Sequence, residues 1–236
     1  MPTLQFKGKN IIWNHHLSIP YHTLEEVSKL NFQADKGNGN LIIEGDNLLA
    51  LKALLPQYAG KIKCIYIDPP YNTGNEGWIY NDRVNSPLIK EWLGKEVEKD
   101  DLTRHDKWLC MMVPRLKLLR DLLTDNGVIF ISIDDNELNN LCLIMEEVFG
   151  KENCIGIFVI NSSPSGIDYG PMAKMHDYAL YYAKNIINID TKQLPEKEKF
   201  FKYEDEIGPF NLYPLYNGNV AFNPSTRPNL YYPFYL

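Results

Sequence analysis

Asp68-Pro69-Pro70-Tyr71 brings a carboxylate, two proline carbonyls and an aromatic ring into one stiff corner. Each proline fixes φ near about −65° and removes a backbone donor, so the chain must turn there and cannot continue a sheet ladder. A carboxylate beside a rigid carbonyl can accept both hydrogens of a conjugated exocyclic amine. That favours sp³ geometry and frees the nitrogen lone pair for attack on a methyl donor, with the rigidity acting as electrostatic preorganisation. A neighbouring tyrosine can stack on the heterocycle that carries the amine, worth roughly 1–3 kcal/mol per base. The same tetrapeptide also serves as a plain structural turn, and the four residues alone leave both readings open.

The elements around the corner favour a site. Lys63-Cys-Ile-Tyr-Ile67 is a short apolar run with β-branched and aromatic residues, which predicts a buried strand ending at Asp68. Ligands of open α/β sheets bind beyond the carboxyl ends of strands. Upstream, Leu41-Ile-Ile-Glu44 is a candidate strand followed by Gly45-Asp46-Asn47 and a run of helix formers from Leu48 to Leu55, closed by Pro56. Asp46 can cap that helix through its first amides, or hold a ligand at the strand end. Downstream, Asn72 to Asp82 is a Gly- and Asn-rich loop carrying Trp78 and Tyr80, and residues 86–97 fit a short helix.

The clearest helix spans Asp106 to Leu123, where Leu109, Met112, Val113, Leu116, Leu119 and Leu123 form one apolar stripe. Pro114 predicts a kink in it. Thr124-Asp-Asn-Gly127 is turn chemistry, and Val128 to Ile133 reads as a second buried parallel strand ending at Asp134 and Asp135. A helix from Asn136 to Phe149, closed by Gly150, and strands near residues 153–160 and 178–183 follow. Before residue 40, Thr23 and Glu26 suggest a capping box opening a short helix. The expected fold class is α/β, a Rossmann-like doubly wound, mostly parallel sheet. The expected division is an N-terminal extension at 1–40, a catalytic part at 41–185, and the start of a target-recognition region or an irregular tail at 186–236.

Composition excludes several classes. A net charge of −6 over 236 residues lacks the basic excess of a dedicated nucleic-acid binder, so any such surface is local or lies elsewhere. Cys64, Cys110, Cys142 and Cys154 are widely spaced, and the first three read as buried thiols rather than a disulfide or zinc framework. His15-His16 reads as surface, and no His/Cys cluster has metal-ligand spacing, so no metal is expected. The absence of a signal peptide and of a long apolar run predicts a cytoplasmic protein without membrane contact.

Five blocks carry a family resemblance: Leu41-Ile-Ile-Glu-Gly-Asp-Asn-Leu48, Ile65-Tyr-Ile-Asp-Pro-Pro-Tyr-Asn-Thr-Gly74, Arg104-His-Asp-Lys-Trp108, Arg115-Leu-Lys-Leu-Leu119 and Asp125 to Glu137. Together, and with His176 to Lys184, they resemble the amino-terminal half of β-class DNA amino-methyltransferases, in particular the modification subunits of type III restriction-modification systems. The resemblance implies S-adenosylmethionine as methyl donor and adenine N6 as acceptor, since Asp rather than Ser opens the motif. It implies Asp68, Pro69, Pro70 and Tyr71 as catalytic residues, and Asp46 with Asn47 as cofactor-binding residues. Double-stranded DNA with a flipped adenine is the implied partner; a homodimer and a nuclease/helicase restriction subunit are compatible with it.

A glycine-rich cofactor loop is expected on the carboxyl-terminal side of the catalytic motif in this class, and the one Gly-x-Gly present, Gly37-Asn-Gly39, lies upstream. The chain therefore reads as truncated. The alternative expectation is an inactive fragment, or an assembly half that needs a separately supplied cofactor-binding piece.

Overall fold

The computed structural model describes residues 3–31, 39–74, 103–162, 167–168, 173–192, 201–212 and 223–230. The chain divides into two compact units, Met1–Asp190 and Thr191–Leu236. The first unit therefore holds both the expected extension and the expected catalytic part. Trp78, Tyr80, the expected helix at 86–97 and Gly37 lie outside the described residues.

The first unit opens with two single-turn helices, α1 (Lys9–Ile12) and α2 (His15–Ser18). Then come α3 (Asn47–Tyr58), β1 (Ile62–Ile67), α4 (Arg104–Leu122), β2 (Leu123–Ile133), α5 (Leu138–Phe149) and β3 (Cys154–Asn161). A two-residue ladder, β4 (Ile167–Asp168) with β5 (Ala173–Lys174), precedes β6 (His176–Ala183). The main sheet has the order β1-β2-β6-β3. β1 runs parallel to β2, while β6 is antiparallel to both β2 and β3. Three of the four strands thus point the same way, and β6 is the reversed one between two of them. This is an α/β sheet with the expected direction in its majority and a mixed pairing pattern. The described residues between β3 and β6 form the β4–β5 ladder, and β6 returns antiparallel to β3.

The core lies on one face of the sheet. The stripe of α4 (Trp108, Leu109, Met112, Val113, Leu116 and Leu119) meets Ile129, Ile131 and Ile133 of β2, and Leu141, Ile144 and Met145 of α5. Period 2 along a strand puts alternate residues on the opposite face. There Tyr66, Phe130, Tyr181 and Phe158 form a row across all four strands, with Phe130 and Tyr181 stacked at 4.3 Å. Tyr66 and Phe158 are exposed. α3 packs on α4 through a smaller cluster of Ile19, Leu48 and Leu118.

Several local expectations are corrected. α3 runs past Pro56 to Tyr58, and α4 continues unbroken through the buried Pro114. Leu41-Ile-Ile-Glu44 forms no strand and is exposed, because no described strand pairs with it. The Thr23 capping box gives only a 3₁₀ turn at Ser28–Leu30; the segment is exposed and has no apolar surface to pack on. Thr124 to Gly127 keeps its turn character inside β2, as an irregularity in the ladder between the Ile62–Leu123 and Cys64–Val128 pairs. Gly127 is required there: a Cβ would meet the Thr124 carbonyl at 2.8 Å and the Ile62 carbonyl at 3.0 Å. Cys64 is exposed rather than buried, since it sits on the face away from the helices. His15 and His16 are buried, not on the surface, because α2 lies against α4.

The amino-terminal segment is part of the core. Ile12 is fully buried, and Glu147 of α5 accepts from Leu4 N at 2.6 Å and from Lys9 Nζ at 2.7 Å. Lys117 Nζ donates to the Trp13 carbonyl and sits 3.7 Å from the Trp13 ring centroid. Glu147→Ala leaves a largely buried ammonium without its carboxylate and should cost roughly 3 kcal/mol. Urea unfolding should show a lower midpoint, and limited proteolysis should cut before Trp13; an unchanged midpoint and digestion pattern would refute this anchoring.

The second unit contains a two-residue ladder, β7 (Tyr203–Glu204) with β8 (Pro209–Phe210), closed by a turn in which Asp205 accepts from Ile207 N and Gly208 N. Asn223 caps a second turn by accepting from Ser225 N and Thr226 N. Among the described residues no helix is long and apolar enough to cross a membrane, and no group of three or more His, Cys, Asp or Glu side chains could hold a metal ion.

Candidate active site

β1 ends at Ile67, and the next residue is Asp68, as its apolar run predicts; the strand stands at the end of the sheet order with its residues half-buried or exposed, not buried as expected. Asp68 is exposed and Tyr71 is half-buried. The turn between them is pinned from the core. Trp108, fully buried on α4, donates its indole N–H to the Pro70 carbonyl at 2.7 Å. Of the two proline carbonyls, this one is committed to the scaffold, and that of Pro69 is the one the tryptophan does not hold.

Tyr71 turns back on the corner. The pKa of its hydroxyl is pushed up to about 12. Burial is the largest cause, followed by the nearby Asp68 carboxylate and then the charge of Asp177. A raised value keeps the hydroxyl protonated throughout the neutral range. The Tyr71 hydroxyl is therefore neutral beside the Asp68 carboxylate. Ser132, near the end of β2, is positioned by a 2.7 Å hydrogen bond with the Tyr66 hydroxyl.

After Tyr71 the chain passes through Asn72, which is fully buried and has φ of 60°, a left-handed conformation that asparagine tolerates better than most residues. Asn72 Nδ2 donates to Glu137 Oε1. His105 Nδ1 approaches the same oxygen at 2.6 Å, and Asn140 Nδ2 donates to Glu137 Oε2 at 2.8 Å. Glu137 is fully buried, and burial raises its pKa against the opposing effects of Asn140, Asn72 and His105. It sits just before α5, in a turn set by Asp134, which accepts from the Asn136 amide at 2.9 Å and its side-chain Nδ2 at 2.6 Å. Asp135 accepts from the Tyr178 hydroxyl at 2.9 Å.

Asp46 is the N-cap of α3. Its Oδ1 accepts from Leu48 N at 2.9 Å and Leu49 N at 3.1 Å, and both bonds use the same oxygen, leaving Oδ2 outside the cap. Asn47 Oδ1 accepts from Arg115 Nε at 2.8 Å, which ties the start of α3 to α4. Asp46 and Asn47 are both exposed. The structure thus places Asp68 and Tyr71 on one turn, and shows Asp46 and Asn47 engaged in capping and helix–helix contacts. Composition and spacing did not single out Trp108, Asn72, His105 or Glu137 as supports of this corner. Their signal was present only as unassigned positions within recurrent blocks, because their contacts span 32 to 65 positions of sequence.

A family model described as DNA methylase matches residues 62–218. The chain is 35% identical over 240 residues to the type III restriction-modification enzyme EcoPI Mod subunit of Escherichia phage P1, covering 93% of this chain and 37% of that protein. It is 37% identical over 187 residues to the EcoP15I Mod subunit of Escherichia coli, covering 71% of this chain and 28% of the relative. Among solved structures, that of the M1.HpyAVI–SAM complex is 15% identical, covers 66% of this chain and 60% of its own, and superposes with a TM-score of 0.36. The chain spans about a third of the length of the two Mod subunits it matches.

Proposed function

Because this chain belongs to the DNA methylase family, we propose that it carries the amine-holding corner of a site-specific DNA methyltransferase of a restriction-modification system, acting on adenine N6. The observation that carries this reading is the corner itself: an exposed Asp68 at the end of β1 and a half-buried Tyr71, on a turn held by Trp108. The opening Asp favours adenine over cytosine, on the resemblance stated above. The relatives' names as Mod subunits support a restriction subunit as a partner.

In this reading Asp68 and the Pro69 carbonyl accept the two hydrogens of the exocyclic amine. Pro70 stiffens the turn, and Tyr71 stacks on a base flipped from the duplex. Flipping costs a few kcal/mol, and stacking offsets roughly 1–3 kcal/mol of it. S-Adenosylmethionine supplies an electrophilic methyl group. Methyl transfer to the amine nitrogen would release one amine proton, which the Asp68 carboxylate would accept. Asp46 fits a hydroxyl-bearing ligand through Oδ2, the oxygen its helix cap does not use, with Asn47 beside it.

The test is direct. The chain is incubated with S-adenosylmethionine carrying a labelled methyl group and unmethylated duplex DNA, and the nucleosides are separated by mass. Label in N6-methyladenine supports the proposal. Label in N4-methylcytosine, or DNA left unlabelled, overturns it.

A further inference from the structure

We propose that Glu137 is a positioning residue for the catalytic corner, acting through Asn72. The inference rests on the function proposed above but has a readout of its own.

Asn72 is the residue at which the corner rejoins the protein, and two features there are costly. Its backbone lies in the left-handed region. Its side-chain Oδ1 is buried without a hydrogen-bond partner, which costs about 1–3 kcal/mol for an unsatisfied group. Such features persist where the surroundings over-determine them. The determinant here is the Glu137 carboxylate: it accepts from Asn72 Nδ2, and turning the amide over would set Oδ1 against that carboxylate.

Glu137 is held in place from three directions. Asn140 of α5 donates to its second oxygen. Asp134 fixes the turn that delivers it from β2. On the α4 side, Arg104 Nε donates to His105 Nε2 at 3.4 Å, so the proton on His105 Nδ1 faces Glu137. One buried carboxylate thereby joins α4, α5 and the exit of the catalytic turn. The Trp108 bond to Pro70 pins the middle of the same turn. Loss of Glu137 frees Asn72 to rotate, and the plane of Tyr71, one residue before it, is no longer fixed relative to Asp68.

Three variants separate this role from a general contribution to folding. Glu137→Gln keeps an acceptor for Asn72 and most of the packing. Glu137→Ala removes the acceptor. Asn72→Gly retains the left-handed backbone while deleting the side chain. Hydrogen exchange read by mass spectrometry on the whole chain should show faster exchange at Tyr71, Asn72 and Thr73 in Glu137→Ala and in Asn72→Gly, with β2 and β6 unchanged and Glu137→Gln near wild type. Where wild type transfers methyl groups, kcat should fall by about 100-fold in Glu137→Ala, with the KM for DNA little changed. The double variant with Asn72→Gly should add almost nothing further, because the two groups act as a unit. Unchanged exchange at residues 71–73 in Glu137→Ala overturns the inference, as do additive losses in the double variant. A wild-type chain that transfers no methyl group refutes the proposed function instead, and the exchange result still decides the positioning role.

Discussion

Asp68→Ala should lower the rate of methyl transfer by about 10²–10³-fold, the usual cost of deleting one preorganised group aimed at the charge that develops in a transition state. The substitution removes the acceptor of one amine hydrogen. It also removes the carboxylate charge that helps keep the Tyr71 pKa raised. Both losses act on the chemical step, so single-turnover measurement at saturating DNA should show the whole effect in the rate constant. Asp68 is exposed and follows the last residue of β1, so the fold should survive and the circular dichroism spectrum should match wild type. Asp68→Asn keeps one acceptor oxygen of the same reach and should retain more activity than the alanine variant. A rate in Asp68→Ala equal to wild type would show that the amine is held by other groups.

Trp108→Ala should be the most damaging single change to stability. Burial of the indole is complete, and it sits at the centre of the cluster shared by α4, β2 and α5. Removal of so large a buried aromatic costs about 3–5 kcal/mol through lost transfer energy and the cavity left behind. That is a large share of the 5–15 kcal/mol typical of a whole domain. Urea unfolding should show a strongly reduced midpoint, or a chain that does not fold. Trp108→Phe separates packing from tethering. It fills most of the volume but leaves the Pro70 carbonyl without its donor, at a cost of roughly 1–3 kcal/mol. Its effect on methyl transfer should exceed its effect on the unfolding midpoint. A phenylalanine variant as active and as stable as wild type would remove the tethering role.

Much of the architecture was legible because it is written in local periodicity. The stripe from Leu109 to Leu119 predicts α4 and its buried face, and the β-branched run from Val128 to Ile133 predicts the central strand. The apolar run before Asp68 correctly places that carboxylate at the end of a strand. What stayed hidden depends on partners distant in the chain. Periodicity reports which residues are buried but not what covers them. His15 and His16 therefore gave no sign of lying under α4. Leu41 to Glu44 has strand composition but no neighbour to pair with among the described strands. The Asn72–Glu137 contact joins two polar residues that any sequence reading would set at the surface. Only the fold makes them fully buried and hydrogen-bonded to each other.

The reversed strand has a consequence for the order in which the molecule can be made. β3, ending at Asn161, hydrogen-bonds into the main sheet through β6 alone among the described strands, and β6 ends at Ala183. On a ribosome β3 emerges first and must wait for the strand that will sit between it and β2. At about 5–20 residues per second that interval lasts roughly one to four seconds. Throughout it Ile157, Phe158, Val159 and Ile160, still exposed even in the finished fold, form an apolar ribbon with both edges unpaired. The stretch of synthesis between those two strands is when the nascent chain depends most on chaperone shielding.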